Sequence, residues 1–406
     1  MDYNRYTLSN GLRVIHRPVP SKVAYCGFAI NAGTRDELVH EHGMAHFVEH
    51  MMFKGTKSQS ARSILNRMES VGGELNAYTN KEETVVYSAY LVEHYSRAVR
   101  LLSDIVFHST FPEEGIRKEA EVVMDEIRSY EDSPSELIFD DFEDMIFRGH
   151  PLGHHILGVP ALLKGFTKQH ALDFTSRYYH PSNAVFFIQG DIGFKRIIYQ
   201  LEKAIGDLPD IRVENERTPP PAYVCRSETL RKGTSQAHIM LGCRAYDAGN
   251  EKRTALYLLN NMLGGPGMNS KLNMSLRERR GLVYTVESNL TSYTDTGVFS
   301  VYFGTDPDRT ECCLRLIERE MKALRTKKLT GSQLSAARKQ LVGQIGVASD
   351  SSENNALGMA KIFLHYDKWE SPESVIKRIE GLTAERLQEV ADEMFNFDRM
   401  SMLVYK

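Results

Sequence analysis

The sequence predicts an α+β fold of two homologous domains, each an antiparallel-rich β-sheet packed with helices, related by tandem duplication. Three observations predict this fold. The 406-residue chain suits two domains of about 200 residues each. A proline-rich stretch divides the chain near its middle. The order of strand and helix patterns in the first half returns in the second half.

The dividing stretch runs from Gly206 to Lys232 and contains Pro209 and the run Pro219-Pro220-Pro221. This composition is typical of a stiff, exposed linker between domains. We therefore predict a first domain at residues 1–215, a linker at 216–232 and a second domain at 233–406.

Apolar periodicity, turn residues and helix caps predict the elements of the first half in chain order. They are a hairpin around Asn10-Gly11 within residues 5–16, a strand at 23–32, a helix carrying His46 to Met52, a helix capped by Ser60, a strand pair at 75–79 and 84–91, a helix from Glu93, a helix at 112–130 ended by Asp132-Ser133-Pro134, a helix opened by Thr167, and a strand at 184–190.

The second half repeats this order at a nearly constant offset. The matched segments are 236–244 with 23–35, 257–262 with 46–51, 297–303 with 84–91, 339–345 with 121–127, and 383–404 with 167–188. Offsets drifting from 211 to 218 residues indicate two copies of one α+β unit with small insertions. The alternative is a chance similarity of helix and strand order.

Composition and charge exclude several classes of protein. The formal charge of −3, without a dense Lys/Arg block, gives no basis for nucleic-acid binding. No run of 18 apolar residues predicts a membrane span, and the polar residues directly after Met1 predict no signal segment. The five cysteines are odd in number and form no Cys-x-x-Cys pair, which favours free thiols in a reducing compartment. We expect a cytoplasmic protein.

The sequence His46-Phe47-Val48-Glu49-His50 is the main candidate for chemistry. Residues three and four apart share a helix face, so the two imidazoles can bind one metal ion with the Glu49 carboxylate beside them. The H-x-x-E-H order is typical of inverzincin zinc peptidases. The alternative is a solvated helix face that carries these residues without a metal.

The duplication provides an internal control. The second half has Tyr257, Asn260 and Asn261 at the positions of His46, Glu49 and His50. It keeps the apolar frame and drops the candidate ligands, which predicts one site per chain. Catalytic zinc usually has three protein ligands and one open position, so a third donor is needed.

Glu119 and Glu126 lie seven residues apart on one face of the helix at 112–130 and are candidates for that donor. At this point the sequence resembles the pitrilysin/insulinase family of metallopeptidases, which includes the mitochondrial processing peptidase and its bacterial relatives. Besides the metal motif, ordered matches along essentially the whole chain carry the resemblance: residues 8–12 (LSNGL), 33–37 (GTRDE), 53–56 (FKGT), 72–79 (GGELNAYT), 178–183 (YYHPSN) and 276–284 (LRERRGLVY).

The resemblance implies that His46, His50 and Glu126 bind one Zn²⁺ per chain and that Glu49 is the general base. It places Glu119 where the family has a further acidic residue, which would orient a ligand. The alternative for Glu119 is a solvated helix carboxylate.

The resemblance also implies contacts with substrate. Arg277 would hold a substrate carbonyl and Tyr284 would donate to the oxyanion. Their alternatives are a helix-surface cation and a strand aromatic that packs on the core. Asn76 and Ala77 would lie at a sheet edge that binds substrate as an added strand, although Asn76 also suits a turn.

The implied activity is that of a zinc endopeptidase acting on peptides or unfolded polypeptides in an enclosed chamber. A chain of this length would form half of the chamber, which implies a homodimer, or a heterodimer with a related chain. One alternative is a catalytically silent subunit of a peptidase-like complex. A zinc-binding regulatory domain is the other, and it explains the Glu beside the ligands less well.

Overall fold

The computed structural model describes residues 3–406, which form two β-sheets packed with helices. The predicted α+β class is confirmed. The strands of the first sheet are β1 (Asn4–Thr7), β2 (Arg13–Arg17), β3 (Val23–Ile30), β4 (Glu74–Thr79), β5 (Thr84–Leu91) and β6 (Ala184–Gln189). The strands of the second sheet are β7 (Ser227–Leu230), β8 (Ala237–Ala245), β9 (Val283–Ser292), β10 (Gly297–Thr305) and β11 (Ser401–Tyr405).

The helices also follow the predicted order. They are α1 (Met44–Met52), α2 (Ala61–Glu69), α3 (Tyr95–His108), α4 (Glu113–Glu131), α5 (Pro134–Ile146), α6 (Pro160–Leu163), α7 (Lys168–Tyr178), α8 (Phe194–Ile205), α9 (Arg253–Gly264), α10 (Thr310–Thr326), α11 (Gly331–Ala348), α12 (Ser352–Tyr366), α13 (Pro372–Gly381) and α14 (Ala384–Met394). Ser60 and Thr167 cap α2 and α7 as predicted, because each hydroxyl accepts a backbone N–H of the first turn.

The two sheets share one topology. The first has the order β1-β2-β6-β3-β5-β4 and the second has the order β7-β11-β8-β10-β9. In each sheet one pair is parallel, β2 with β6 and β7 with β11, while the other pairs are antiparallel. The last five strands of the first sheet therefore correspond in order and direction to the whole second sheet. This correspondence confirms the tandem duplication.

The chain forms two compact units that are discontinuous in sequence. The first takes in the described residues up to Arg128, together with His154–Arg217 and Ala348–Ser371. The second takes in Ser129–Gly153, Thr218–Val347 and Pro372–Lys406. The contiguous ranges 1–215, 216–232 and 233–406 stay a prediction, and strand β7 lies inside the range predicted as linker.

In the first unit, a large apolar core includes residues of α1 and α3 together with one face of the sheet. The opposite face of the sheet packs against α12, which comes from the second half of the chain. There Met359 and Phe363 belong to one buried cluster with Val85 and Phe187. A helix distant in sequence thus completes the first unit.

The second unit has the same arrangement. Helix α5 comes from the first half of the chain, and its Phe142 and Met145 belong to one buried cluster with Met240 and Tyr302 of the second sheet. Helices α5 and α12 are counterparts in the duplication, so the two halves of the chain exchange equivalent helices.

Two expectations from composition concern free thiols and the lack of a membrane-spanning helix. Cys26, Cys225, Cys243, Cys312 and Cys313 are free thiols. Among residues 3–406, no helix has both the length and the apolar character needed to cross a membrane.

Candidate metal centre

Helix α1 carries the H-x-x-E-H sequence and is fixed at its amino end by Glu37. The Glu37 carboxylate accepts hydrogen bonds from the backbone N–H groups of Gly43 (3.0 Å) and Ala45 (2.8 Å). A carboxylate satisfies free N–H groups there and complements the helix dipole. Gly43 has φ +99°, and an added Cβ would lie 2.8 Å from the Gly158 Cα, so this turn requires glycine.

The opposite sides of α1 have different roles. Its apolar residues, Met44, Ala45, Phe47, Val48, Met51 and Met52, are fully buried in the core of the first unit. This packing fixes the rotation of the helix about its axis. The other face of α1, with His46, Glu49 and His50, is therefore not used for core packing and carries the candidate metal and base residues.

His46, His50 and Glu126 are brought together, as the resemblance implied. The Nε2 atoms of the two imidazoles lie 3.2 Å apart, and Glu126 Oε2 lies 3.7 Å from His50 Nε2 and 3.9 Å from His46 Nε2. Tetrahedral zinc with bonds of about 2.0–2.1 Å separates its ligand atoms by about 3.3–3.4 Å. The three donors therefore fit one zinc ion in type and in spacing.

The two histidines have different surroundings. His46 is buried, which lowers the pKa of its imidazole to about 3, with a smaller contribution from His50. A neutral imidazole is the form that binds metal. The Nδ1 atom of His46 is buried and has no hydrogen-bond partner among residues 3–406.

His50 has a carboxylate behind it. Its Nδ1 lies 2.9 Å from Oε1 of the buried Glu119, whose Oε2 lies 2.6 Å from the Nζ of Lys54. A carboxylate at Nδ1 fixes the tautomer that leaves the Nε2 lone pair free for metal. Glu119 thus contacts a candidate ligand rather than solvent.

Glu49 lies on the same face of α1 with its carboxylate held at one oxygen. Thr79 Oγ1 donates a hydrogen bond of 2.6 Å to Glu49 Oε2. Burial raises the pKa of the Glu49 carboxyl, and the hydrogen bond from Thr79 opposes that rise. The charges of His50 and Glu126 also act on this pKa, so Glu49 is a neighbour of the metal donors.

Asn76 and Ala77 lie on β4, the edge strand of the first sheet. Within the described chain β4 pairs only with β5, and the Asn76 side chain is exposed. Strand β4 ends at Thr79, the residue that contacts Glu49. The free edge of β4 thus leads towards the candidate base.

Arg277 and Tyr284 lie together in the second unit. Arg277 is on a π-helical turn, Asn273–Glu278, and Tyr284 is near the start of β9. The Arg277 guanidinium lies 6.0 Å from the Tyr284 ring centroid, and the Tyr284 side chain is 80% exposed. Both line a surface pocket of about 300 Å³ with residues 264–268, the glycine-rich segment after α9.

Sequence reasoning missed Glu37, Lys54 and Thr79. Lys54 lies two residues beyond the end of α1, so helix periodicity does not indicate its contact with Glu119. Glu37 and Thr79 lie inside segments that carried the family resemblance, but no local pattern indicates their contacts with α1. The pocket beside Arg277 was also not predicted.

Known sequence families match both halves of the chain. The model described as Insulinase (Peptidase family M16) matches residues 13–159, and the model described as Peptidase M16 inactive domain matches residues 165–341. A protein of Bacillus subtilis named an uncharacterized zinc protease is 32% identical, over 98% of this chain and 97% of the relative. A Rickettsia bellii protein of the same description is 31% identical over 99% and 97%.

Solved structures match the fold over the full chain. A protease from Helicobacter pylori superposes with a TM-score of 0.93 at 22% identity, covering 100% of this chain and 99% of that one. A Pseudomonas fluorescens structure described as a peptidase M16 inactive domain gives a TM-score of 0.90 at 20% identity, covering 100% and 98%. At these identities the two structures support the fold alone.

Proposed function

Because this chain belongs to the insulinase (M16) family of peptidases, we propose that it is a zinc-dependent endopeptidase acting on peptides or unfolded polypeptides. The observation that carries the proposal is the donor triangle of His46, His50 and Glu126, with the Glu49 carboxylate beside it. Two imidazoles and one carboxylate leave a coordination position open, which is typical of catalytic rather than structural zinc.

His46, His50 and Glu126 would hold the ion. Zinc bound there supplies Lewis acidity, which activates water and polarises the scissile carbonyl. The Glu49 carboxylate accepts a proton from the attacking water and returns it to the leaving amine. Glu119 orients His50 through its Nδ1 contact.

We propose that substrate binds as an added strand on β4. Its outer edge has unpaired backbone groups, and Asn76 and Ala77 lie along it. Arg277 would hold a substrate carbonyl, and the Tyr284 hydroxyl would donate to the developing oxyanion. The exposure of Tyr284 and the adjacent pocket support a role in contacting a ligand.

The protein would act as a homodimer, or as a heterodimer with a related chain, with Arg277 and Tyr284 of one protomer serving the zinc of the other. This arrangement rests on the resemblance and on the exposure of Tyr284. The cytoplasmic location inferred from cysteine usage likewise stays a prediction.

Metal analysis combined with a peptide-library digest, with and without chelator, tests the proposal. We expect one zinc per chain and cleavage that chelator abolishes. Glu49→Gln keeps zinc and lowers kcat by about 10²–10⁴-fold, because the proton acceptor is lost. Glu126→Ala loses zinc, whereas Glu121→Ala, at an exposed position of the same helix, keeps it.

A catalytically silent partner subunit is the alternative. The intact donor triangle and the adjacent Glu49 argue against it. A zinc-loaded protein that cleaves no library peptide would support that alternative. Cleavage at the parental rate by Glu49→Gln would contradict the assigned base.

A further inference from the structure

We propose that Thr79 is a positioning residue that holds the Glu49 carboxylate in one orientation by donating its hydroxyl proton to Oε2. The inference rests on the proposed function, because the orientation of Glu49 matters to turnover only if Glu49 is the base. Thr79 acts through Glu49 and is not one of the proposed metal ligands.

The contact is short and protected from solvent. The distance from Thr79 Oγ1 to Glu49 Oε2 is 2.6 Å, and Thr79 is 8% exposed. In the described structure this is the one side-chain hydrogen bond to the Glu49 carboxylate, and it restrains a terminal torsion that is otherwise broad. The second oxygen, Oε1, has no hydrogen bond from a protein group in the described structure.

The chemistry of the two side chains fixes the direction of the bond. A hydroxyl has one proton to donate, and an ionised carboxylate can only accept. The neighbouring hydroxyl of Thr84 donates to the Ala32 carbonyl at 2.9 Å, and it lies 3.5 Å from Thr79 Oγ1. Thr84 Oγ1 is a second acceptor within reach, but at 3.5 Å it is the weaker one, so the Thr79 proton goes to the Glu49 carboxylate at 2.6 Å.

The backbone holds this donor in place. Thr79 and Thr84 are opposite residues at the end of the β4–β5 ladder, and the Asn80 N–H bonds to the Glu83 carbonyl in the turn between them. Glu49 sits on α1, which packs into the same core. The bond thus joins two rigid elements across 30 residues of sequence.

The duplicated half shows that this bond is not a by-product of the fold. In the β9–β10 ladder, Ser292 lies opposite Gly297, the counterpart of Thr79 opposite Thr84. Asn260 stands where the first half has Glu49. The Ser292 hydroxyl instead donates to the Tyr246 carbonyl at 3.3 Å and accepts from Arg253 Nε at 3.1 Å. The first half therefore pairs this hydroxyl with the candidate base, and the second half does not.

The test compares Thr79→Val with Thr79→Ser. Valine keeps the shape and removes the hydroxyl, whereas serine keeps the hydroxyl. We expect Thr79→Val to lower kcat by about 10–100-fold, because a carboxylate that is no longer held in the productive orientation slows the chemical step by about this factor. Its KM stays within about twofold and its zinc content stays at one per chain. Thr79→Ser keeps most of the parental kcat.

Thr84→Val is the matched control. It removes the adjacent hydroxyl, whose proton goes to the Ala32 carbonyl, so it lowers Tm while kcat stays within about twofold. An equal loss of kcat in Thr84→Val and Thr79→Val would assign the effect to packing of the strand pair and overturn the inference. An equal loss in Thr79→Ser and Thr79→Val would do the same.

Crystal structures of the metal-free parent and of Thr79→Val give a second readout that needs no activity. We expect one Glu49 rotamer in the parent and several in the variant. An unchanged Glu49 orientation, or a kcat of Thr79→Val within twofold of the parent, overturns the inference. Absence of turnover in the parent would contradict the proposed function and not this inference. The crystallographic comparison would still test the hydrogen bond from Thr79 to Glu49.

Discussion

Lys54, Glu119 and His50 form a chain of contacts that ends at the metal centre. The Lys54 ammonium lies 2.6 Å from one Glu119 oxygen, and the other Glu119 oxygen lies 2.9 Å from His50 Nδ1. Glu119 is buried, so its charge needs a partner. Lys54 provides that partner and keeps the carboxylate available to the imidazole.

We expect Lys54→Met to weaken zinc affinity about 10–100-fold, because Glu119 loses the cation that balances its charge behind His50. Competition with a chromogenic chelator measures this change. Lys57→Met is the matched control, since Lys57 is exposed and lies three residues further along the chain. An affinity within twofold of the parent in Lys54→Met would show that Glu119 acts without Lys54.

Sequence reasoning predicted the part of the site that depends on local periodicity. The shared face of His46, Glu49 and His50 follows from helix geometry. The meeting of Glu126 with the histidines was implied by the resemblance. The bond from Thr79 to Glu49 could not be predicted, because the side chain that faces α1 is decided by how β4 packs on the helix.

Helix α12 is joined to the turn between β4 and β5 by ion pairs around the buried Glu83. One Glu83 oxygen lies 2.8 Å from Lys361 Nζ and 2.9 Å from the Asn80 amide, and the other lies 3.0 Å from His365 Nε2. Burial alone would raise the pKa of Glu83, but the bonds from His365 and Lys361 prevail and lower it to about 2.

The direction of this shift predicts acid sensitivity. The folded state favours the ionised carboxylate, so its stabilising contribution is fully present above the unfolded pKa of about 4.5 and is lost as the pH falls towards 2. The contribution is on the order of 3 kcal/mol. Urea unfolding measures the free-energy difference between the parent and Glu83→Gln. We expect that difference to shrink as the pH falls from 5 towards about 2.

Glu69→Gln, at an exposed position near the end of α2, is the control for this measurement. Its unfolding free energy follows that of the parent across the same pH range. A difference between parent and Glu83→Gln that stays constant with pH would contradict the assigned shift.

The sequence predicted the individual strands and helices well, but it did not predict which sheet each helix packs against. Strand and helix positions followed from periodicity and caps, as at Ser60 and Thr167. The exchange of α5 and α12 was not predicted, because a repeat in sequence says which elements are equivalent but not which sheet each helix covers. Arg13 bonds to the Phe363 carbonyl, a pairing across 350 residues that no local pattern encodes.

At the scale of the whole molecule, the proposed dimer makes each site depend on two chains. Mixing Arg277→Ala protein with Glu49→Gln protein should therefore restore activity, because each hybrid dimer contains one site with both groups intact. Random exchange of subunits gives about a quarter of the parental activity. Peptide turnover after subunit exchange measures it.

The control mixes Arg277→Ala with the double variant Arg277→Ala/Glu49→Gln, which can form no intact site. Recovery in the first mixture only is the expected result. If activity is not restored although mass measurement verifies subunit exchange, Arg277 and Glu49 do not combine across the dimer. They would then act within one chain.

The exchanged helix also constrains how the protein is made. Strands β2, β5 and β6 leave the ribosome long before α12, so Ile15, Val85 and Phe187 have no covering helix in the elongating polypeptide. A bare apolar sheet face is prone to aggregation. The first unit therefore cannot complete its fold until α12 has been synthesised. A gene cut at the proline-rich stretch would yield two fragments, each missing the helix that the other encodes.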